Sequence, residues 1–234
     1  MKTLPIMAAA LFAISASSAS AATTITFEEQ GPVAMSNSPG SVVPLAAQLT
    51  NYYLNLGVKF SSGAGFAAIV DHGFPLLTPS PPGLIGGTAA NGTLDYSSAI
   101  TASFFNPGDS ITKATVTSVS VFGDLYGLGS GSVFMKVFDV DGNLLGSVTD
   151  SDAHPLGTGP VLTFSGAGIH SVNFYSDNAT VGFDNFTFDG LVSIGGHAAG
   201  VPEPANWAML LLGFGLIGGA MRTTRRRKFI VSYT

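Results

Sequence analysis

The feature that most limits what this chain can fold into is a rhythm of short β-branched runs, each too brief for a helix. Thr23–Phe27, Leu56–Phe60, Phe66–Val70, Ile100–Phe105, Thr115–Phe122, Ser132–Val140, Leu144–Thr149, Val161–Phe164, Gly168–Tyr175 and Thr180–Phe188 are rich in Val, Ile, Phe and Thr. Gly, Pro, Asn or Asp bound each of them, and these residues end strands and build turns. Between the two ends only Leu45–Tyr53 suggests a short helix. About ten strands at this spacing predict an all-β fold, a single antiparallel β-sandwich of jelly-roll type over residues 23–190. FDVDGNLLGS supplies the tightest hairpin signal, with Asp141-Gly142 at the turn. Residues 71–99, dense in Pro and Gly, predict long loops across one edge, and 191–200 reads as a Gly/Ala-rich linker.

The two ends have a different grammar. Met1 and Lys2 precede an apolar stretch from Leu4 to Ile14 and then small residues ending in Ala19-Ser20-Ala21. That order describes a secretory signal peptide over 1–22. At the other end, Ala205 to Met221 is apolar or glycine apart from Asn206, near the shortest length that spans a bilayer as a helix. Trp207 stands at its outer edge, and Arg222, Arg225, Arg226, Arg227 and Lys228 follow it, which puts the tail's end in the cytoplasm. Both ends therefore predict that residues 23–200 are exported.

Val201-Pro202-Glu203-Pro204, Trp207, the apolar run and the arginine cluster together resemble a PEP-CTERM sorting signal, over residues 201–228. The resemblance implies an exosortase-type processing enzyme as partner and cleavage near the Pro-Glu-Pro. It also implies a membrane-anchored precursor that passes to the cell envelope, surface or extracellular matrix. Residues 229–234 are an extension beyond the family's usual basic end.

Charge separates the delivered domain from its targeting segments. Residues 23–200 hold Lys59, Lys113 and Lys136 against thirteen acidic residues, a net −10. A surface of that sign repels phosphate backbones, so nucleic acid is excluded as a partner, and neutral glycans or divalent cations are the compatible ligands. With no cysteine in the chain, disulfides, thiolate zinc sites and thiol catalysis are excluded too.

TVGFDNFTF resembles the closing strand of galactose-binding-like and lectin-like jelly rolls. In a regular strand Asp184, Phe186 and Phe188 share one face, and a carboxylate there is costly to bury unless bonded or metal-bound. Ile25, Phe27 and Glu29 share a face of the first strand in the same way, with Glu28 opposite. The resemblance implies neighbouring terminal strands with a structural Ca²⁺ between them. Glu28 or Glu29 with Asp184, and Asp189 in support, are the candidate ligands, since hard oxygen donors are present and soft ones absent. The competing expectation is that Asp184 only accepts hydrogen bonds from backbone amides.

Other chemistries find little support. DVDGN at 139–143 starts like an EF-hand loop, but Leu144 occupies the position that requires glycine. Asp150, Asp152 and His154 alternate in a loop and read as solvated, while His72, His154, His170 and His197 are scattered. There is no nucleophile elbow. Tyr52, Tyr53, Tyr96, Tyr126 and Tyr175, with Asn51 and Asn55, are candidates for a sugar-binding platform. The expectation is a non-catalytic exported protein that binds or organises extracellular polysaccharide, with a glycan-active hydrolase or a purely structural matrix protein as alternatives.

Overall fold

A computed structural model describes residues 21–29, 40–63, 65–71, 79–81, 83–124, 131–152, 154, 158–177, 181–194 and 212–214. The chain divides into two units, Met1–Ile194 and Gly195–Thr234. Among the described residues the first is a sandwich of twelve strands: β1 Thr23–Ile25, β2 Val58–Ser62, β3 Ala67–Asp71, β4 Gly83–Gly87, β5 Ile100–Phe104, β6 Ala114–Asp124, β7 Val133–Phe138, β8 Leu144–Asp150, β9 Val161–Ile169, β10 Ser171–Ser176, β11 Gly182–Asp189 and β12 Val192–Ser193. Of the second unit only the helical residues 212–214 are described. Among the described residues no helix is long and apolar enough to cross a membrane. The signal peptide through residue 20, the sorting-signal residues 201–211 and 215–228, the extension 229–234, and His72, Tyr126 and His197 lie outside the described residues.

All strand pairs are antiparallel, and the architecture is a jelly-roll-like β-sandwich. One sheet has the order β2-β5-β10-β7-β8. The other holds seven strands, with β9 and β11 on opposite edges of β6. Because β6 runs along one edge of β11 from Gly182 to Asp189, β1 and β4 must both lie along its other edge. β1 covers Phe186–Phe188 and β4 covers Phe183. β3 closes the sheet beside β4, and β12 resumes the β11 ladder on β6 after the left-handed Gly190.

The inner faces are built by alternation. Val133, Met135 and Val137 of β7, Val172 and Phe174 of β10, and Ile100, Ala102 and Phe104 of β5 point inward. They meet Val116, Val119 and Val121 of β6 and Phe183, Phe186 and Phe188 of β11 in one core. Phe186 is its hub, with ring centroids 5.4 Å from Phe60, 5.8 Å from Phe174 and 6.3 Å from Phe104. A second, smaller cluster of Val43, Ala47, Ala68, Val70, Leu84, Leu94 and Tyr96 lies on the other side of β3 and β4.

Three expectations need correction. Residues 71–99 are not all loop: β4 lies within them, buried along its whole length between the two clusters, so it shows no alternation to read. Of the helix expected over Leu45–Tyr53 only the 3₁₀ turn Leu45–Ala47 forms, and a second 3₁₀ turn, Leu54–Leu56, follows just beyond it. Pairing also continues into the stretch read as linker, where β12 bonds to β6.

Candidate functional site

Two places on the sandwich carry chemistry beyond packing. The first is the gap on the β11 edge where β1 stops and β4 starts. Between Asp184 and Thr187, β11 has one residue more than β6, a β-bulge whose Asn185 is left-handed at φ 47°. The bulge corrects the expected face pattern. Phe183, not Asp184, joins Phe186 and Phe188 in the core, and Asp184 points to the opposite side, where it is still fully buried. A bulge of this kind re-aims a side chain at the cost of local pairing.

What covers Asp184 is Ser80, held between Pro79 and Pro81. The Ser80 amide donates to Asp184 Oδ2 at 3.0 Å. Its hydroxyl lies 2.8 Å from both carboxylate oxygens, 2.9 Å from Asn185 Oδ1 and 3.3 Å from the Thr26 carbonyl. One hydroxyl carries one hydrogen, so it serves only one of these four acceptors at a time. Asp184 also accepts from the Asn185 amide at 2.6 Å. Burial, opposed by these bonds and reinforced by the nearby Glu28 charge, pushes the Asp184 carboxyl up from 3.8 to about 6.

Glu28 follows a left-handed Phe27 at φ 62°, two residues beyond β1 and in an uncommon conformation for a bulky residue, and it reaches the same gap. One Glu28 carboxylate oxygen accepts from the Gly83 amide at the start of β4. Gly83 has no alternative there, since a Cβ would stand 2.6 Å from the Phe27 carbonyl oxygen. Glu29 turns elsewhere: Tyr53 Oη donates to its Oε2 at 2.7 Å, and Tyr52 Oη donates to its carbonyl at 3.1 Å. Desolvation and the bond to Glu29 hold the Tyr53 hydroxyl far above its ordinary range. Asp189, at the far end of β11, accepts from the Gly190 amide at 2.6 Å.

Of the four expected ligands, then, the fold brings Glu28 and Asp184 together and leaves Glu29 and Asp189 apart. Among the described residues there is no group of three His, Cys, Asp or Glu side chains arranged to hold a metal. Around Ser80 stand the Asp184 carboxylate, the Asn185 amide oxygen and the Thr26 carbonyl, with the Glu28 carboxylate near enough to act on Asp184, an all-oxygen set. That chemistry fits a hard divalent cation. Ser80 and Asn185 were not singled out from the sequence. The available signal was Asn directly after Asp184, since Asn tolerates the left-handed region that a bulge needs.

The second place is the outer face of the five-stranded sheet. Strand register sets it out in rows: Lys59, Ser103, Ser171 and Phe138 in one, then Ser61, Thr101, Asn173, Lys136 and Ser147, then Tyr175, Phe134 and Thr149. The Phe134 and Tyr175 rings stack, centroids 4.9 Å apart and 14° from parallel. Lys136 Nζ stands 5.5 Å from the Tyr175 ring centre and Lys59 Nζ 5.5 Å from that of Phe105. Asn173 Nδ2 donates to Thr101 Oγ1 at 3.1 Å in the middle of the face.

The other candidate tyrosines are spoken for. Tyr53 and Tyr96 are buried, and Tyr52 packs edge-on against Tyr53 at 4.9 Å, exposed beside the exposed Asn51 and Asn55. Phe134 was missed because it reads as one more core phenylalanine. Of the loop trio, His154 Nε2 meets Asp150 Oδ1 at 3.0 Å and draws its carboxyl below the ordinary range, whereas Asp152 contributes only its amide. His170 is buried, its Nδ1 2.8 Å from the Ala114 carbonyl. Asp139 closes the β7–β8 hairpin by accepting from the Asp141 and Asn143 amides, as the turn reading requires.

No family model matches the chain, and no curated protein matches it. Solved structures similar to it include an arabinose-bound GH51 α-L-arabinofuranosidase (10% identity, TM-score 0.37, 66% of this chain against 26% of that one), of whose length the chain spans about a quarter. A family 6 carbohydrate-binding module is similar at 16% identity, TM-score 0.30, over 56% of this chain and 85% of that one. A third is TmCBM61 in complex with β-1,4-galactotriose, at 14% identity, TM-score 0.31, over 63% and 99%.

Proposed function

We propose that this chain is a non-catalytic, exported β-sandwich that binds polysaccharide on the outer face of its five-stranded sheet. One observation carries the reading: the stacked Phe134 and Tyr175 rings face outward beside a row of hydroxyl and amide groups. An apolar ring face next to fixed polar groups suits a sugar, which offers one face of C–H bonds and an equator of hydroxyls. Asp184, a carboxylate pushed up toward neutral pH, is fully buried under Ser80. Under the same reading the Val201–Pro204 signal, Trp207 and the arginine cluster deliver the domain to the envelope through an exosortase-type enzyme. A calcium ion on Glu28, Asp184, Asn185 and the Thr26 carbonyl would lock the β1–β4 gap, a structural role remote from the sugar face.

The test is a glycan array probed with the full chain and with Tyr175→Ala. Binding that is lost in the variant, at unchanged melting temperature, supports the proposal. Binding unaffected by Tyr175→Ala would place the ligand elsewhere, and no binding to any glycan would favour a purely structural matrix protein.

A further inference from the structure

The domain is acidic on average, yet its sugar face is not. Among the described side chains, no carboxylate belongs to the strand rows that form the outer face of the five-stranded sheet, which carries two of the domain's three lysines. The carboxylates nearest to it sit at the ends of its strands or in the adjoining turns and are engaged there. Asp139 is bonded within the β7–β8 turn, Asp150 to His154, and Asp177 to the Ser132 amide at 2.6 Å. Asp141 is exposed at the tip of the same hairpin. The third lysine, Lys113, spends its ammonium on the Val140 carbonyl at 3.1 Å.

Lys59 and Lys136 have no such partner. Among the described residues neither ammonium lies within ion-pair distance of a carboxylate; each stands instead over an aromatic ring. They flank the face from β2 and β7, three strand spacings apart, or about 14 Å at about 4.8 Å per strand. Between them run Thr101, Ser103, Ser171 and Asn173. An ammonium over a ring holds its charge at the edge of the stacking platform, where a substituent of a ring-stacked sugar would arrive.

Resting on the glycan-binding reading above, we infer that the ligand is an acidic polysaccharide, one whose sugars carry carboxylates. Tyr175 and Phe134 take the sugar faces, Asn173 and Thr101 the hydroxyls, and Lys136 and Lys59 the carboxylates at two positions along the polymer. The domain's acidic remainder repels such a polymer, which leaves this face as the one place where it can settle. Net charge alone pointed to neutral glycans; the strand register reverses that expectation locally.

The experiment compares polygalacturonate with its fully methyl-esterified form, two polymers of one backbone that differ in charge, alongside alginate, dextran and polyglutamate. The probes are the full chain, Lys59→Glu/Lys136→Glu and Tyr175→Ala, each checked by thermal melting. The inference predicts binding to the carboxylated glycans, weakened about tenfold or more by the double charge reversal and also by raising salt from about 0.02 M to about 0.5 M. Tyr175→Ala weakens it as well, and polyglutamate, which has carboxylates without sugar rings, does not bind. Equal binding to the esterified polymer or to dextran overturns the inference and leaves the glycan reading standing. Binding to polyglutamate as tight as to polygalacturonate overturns both, as does binding to no polysaccharide at all.

Discussion

Consider the chelator-treated protein taken from about pH 4 to about pH 7. Over that interval Asp184 must give up its proton while fully buried beneath Ser80. Its carboxyl ionises near 6 rather than at the ordinary 3.8, chiefly because burial strips the charge of water. At about 1.4 kcal/mol per pH unit, keeping the ionised form inside the fold costs about 3 kcal/mol. The sign follows from proton counting. Between 3.8 and about 6 the folded chain binds more protons at this site than the unfolded chain, so stability falls as pH rises and the loss is complete above about 6.

Five further groups with shifted values act outside this window. Asp95, Asp109, Asp139 and Asp150 are held below their ordinary values by hydrogen bonds, so their contribution is full above 3.8 and is lost only at lower pH. Tyr53 is raised, which matters only above pH 10. For a domain of this size, 3 kcal/mol corresponds to a fall in melting temperature of about 6–12 °C. Circular-dichroism melts in chelator at half-unit pH steps measure it directly. Asp184→Asn, which has no proton to lose, should melt with little dependence on pH across the same steps. Calcium should act in the opposite sense, because it binds the ionised carboxylate. Its stabilisation reaches about 2.7 kcal/mol at a hundredfold excess over Kd and is larger at pH 7 than at pH 4. A flat wild-type profile in chelator, or a slope that survives in Asp184→Asn, refutes the assignment of the cost to this carboxyl. An unchanged midpoint on adding calcium at pH 7 refutes the cation reading while leaving the pH reasoning intact.

Further outcomes can be checked in parallel. Phe186→Ala removes the ring that meets Phe60, Phe104 and Phe174, and should cost about 3–5 kcal/mol by chemical denaturation. Gly83→Ala forces a methyl to within 2.6 Å of the Phe27 carbonyl oxygen and 2.7 Å of Glu28 Oε1; it should destabilise by more than about 1 kcal/mol and weaken any calcium response, read by melts with and without chelator. Phe134→Ala leaves Tyr175 without its stacked partner and should reduce glycan affinity by about 0.5–1.5 kcal/mol in calorimetric titration. Mass spectrometry of the surface-exposed protein should find a C-terminus near Pro202–Pro204; an intact tail there would sink the sorting proposal.

Most of the sandwich was legible because its strands bury one face each. In β5, β7 and β10 the side chains alternate inward and outward without a break, and the sequence alternates with them. β4 defeats that logic. GLIGG is buried on both sides, between the main core and the Leu84–Tyr96 cluster, so its residues need no polar partner in alternation and its glycines read as loop. The Asp184 site was half legible for a related reason. A period of two assigns Asp184 to the face of Phe186, and only the extra residue at Asn185 moves it to the other side. A single left-handed asparagine thus decides whether the carboxylate enters the core or faces Ser80, and composition carries no trace of that choice.

The distribution of charge was not legible from the sum over the chain either, and the reason is physical. Asp is favoured in turns because its carboxylate accepts nearby backbone N–H groups, as Asp95, Asp109, Asp139 and Asp150 do here. Strands of this domain instead admit lysine where its long stem can lie along an aromatic ring, as Lys59 and Lys136 do on Phe105 and Tyr175. Around the five-stranded sheet the two signs therefore fall in different places: Asp139, Asp150 and Asp177 at its strand ends and turns, Lys59 and Lys136 on its outer face. A sum over the chain adds these regions together and returns −10. A ligand lying across the strand rows would meet Lys59 and Lys136.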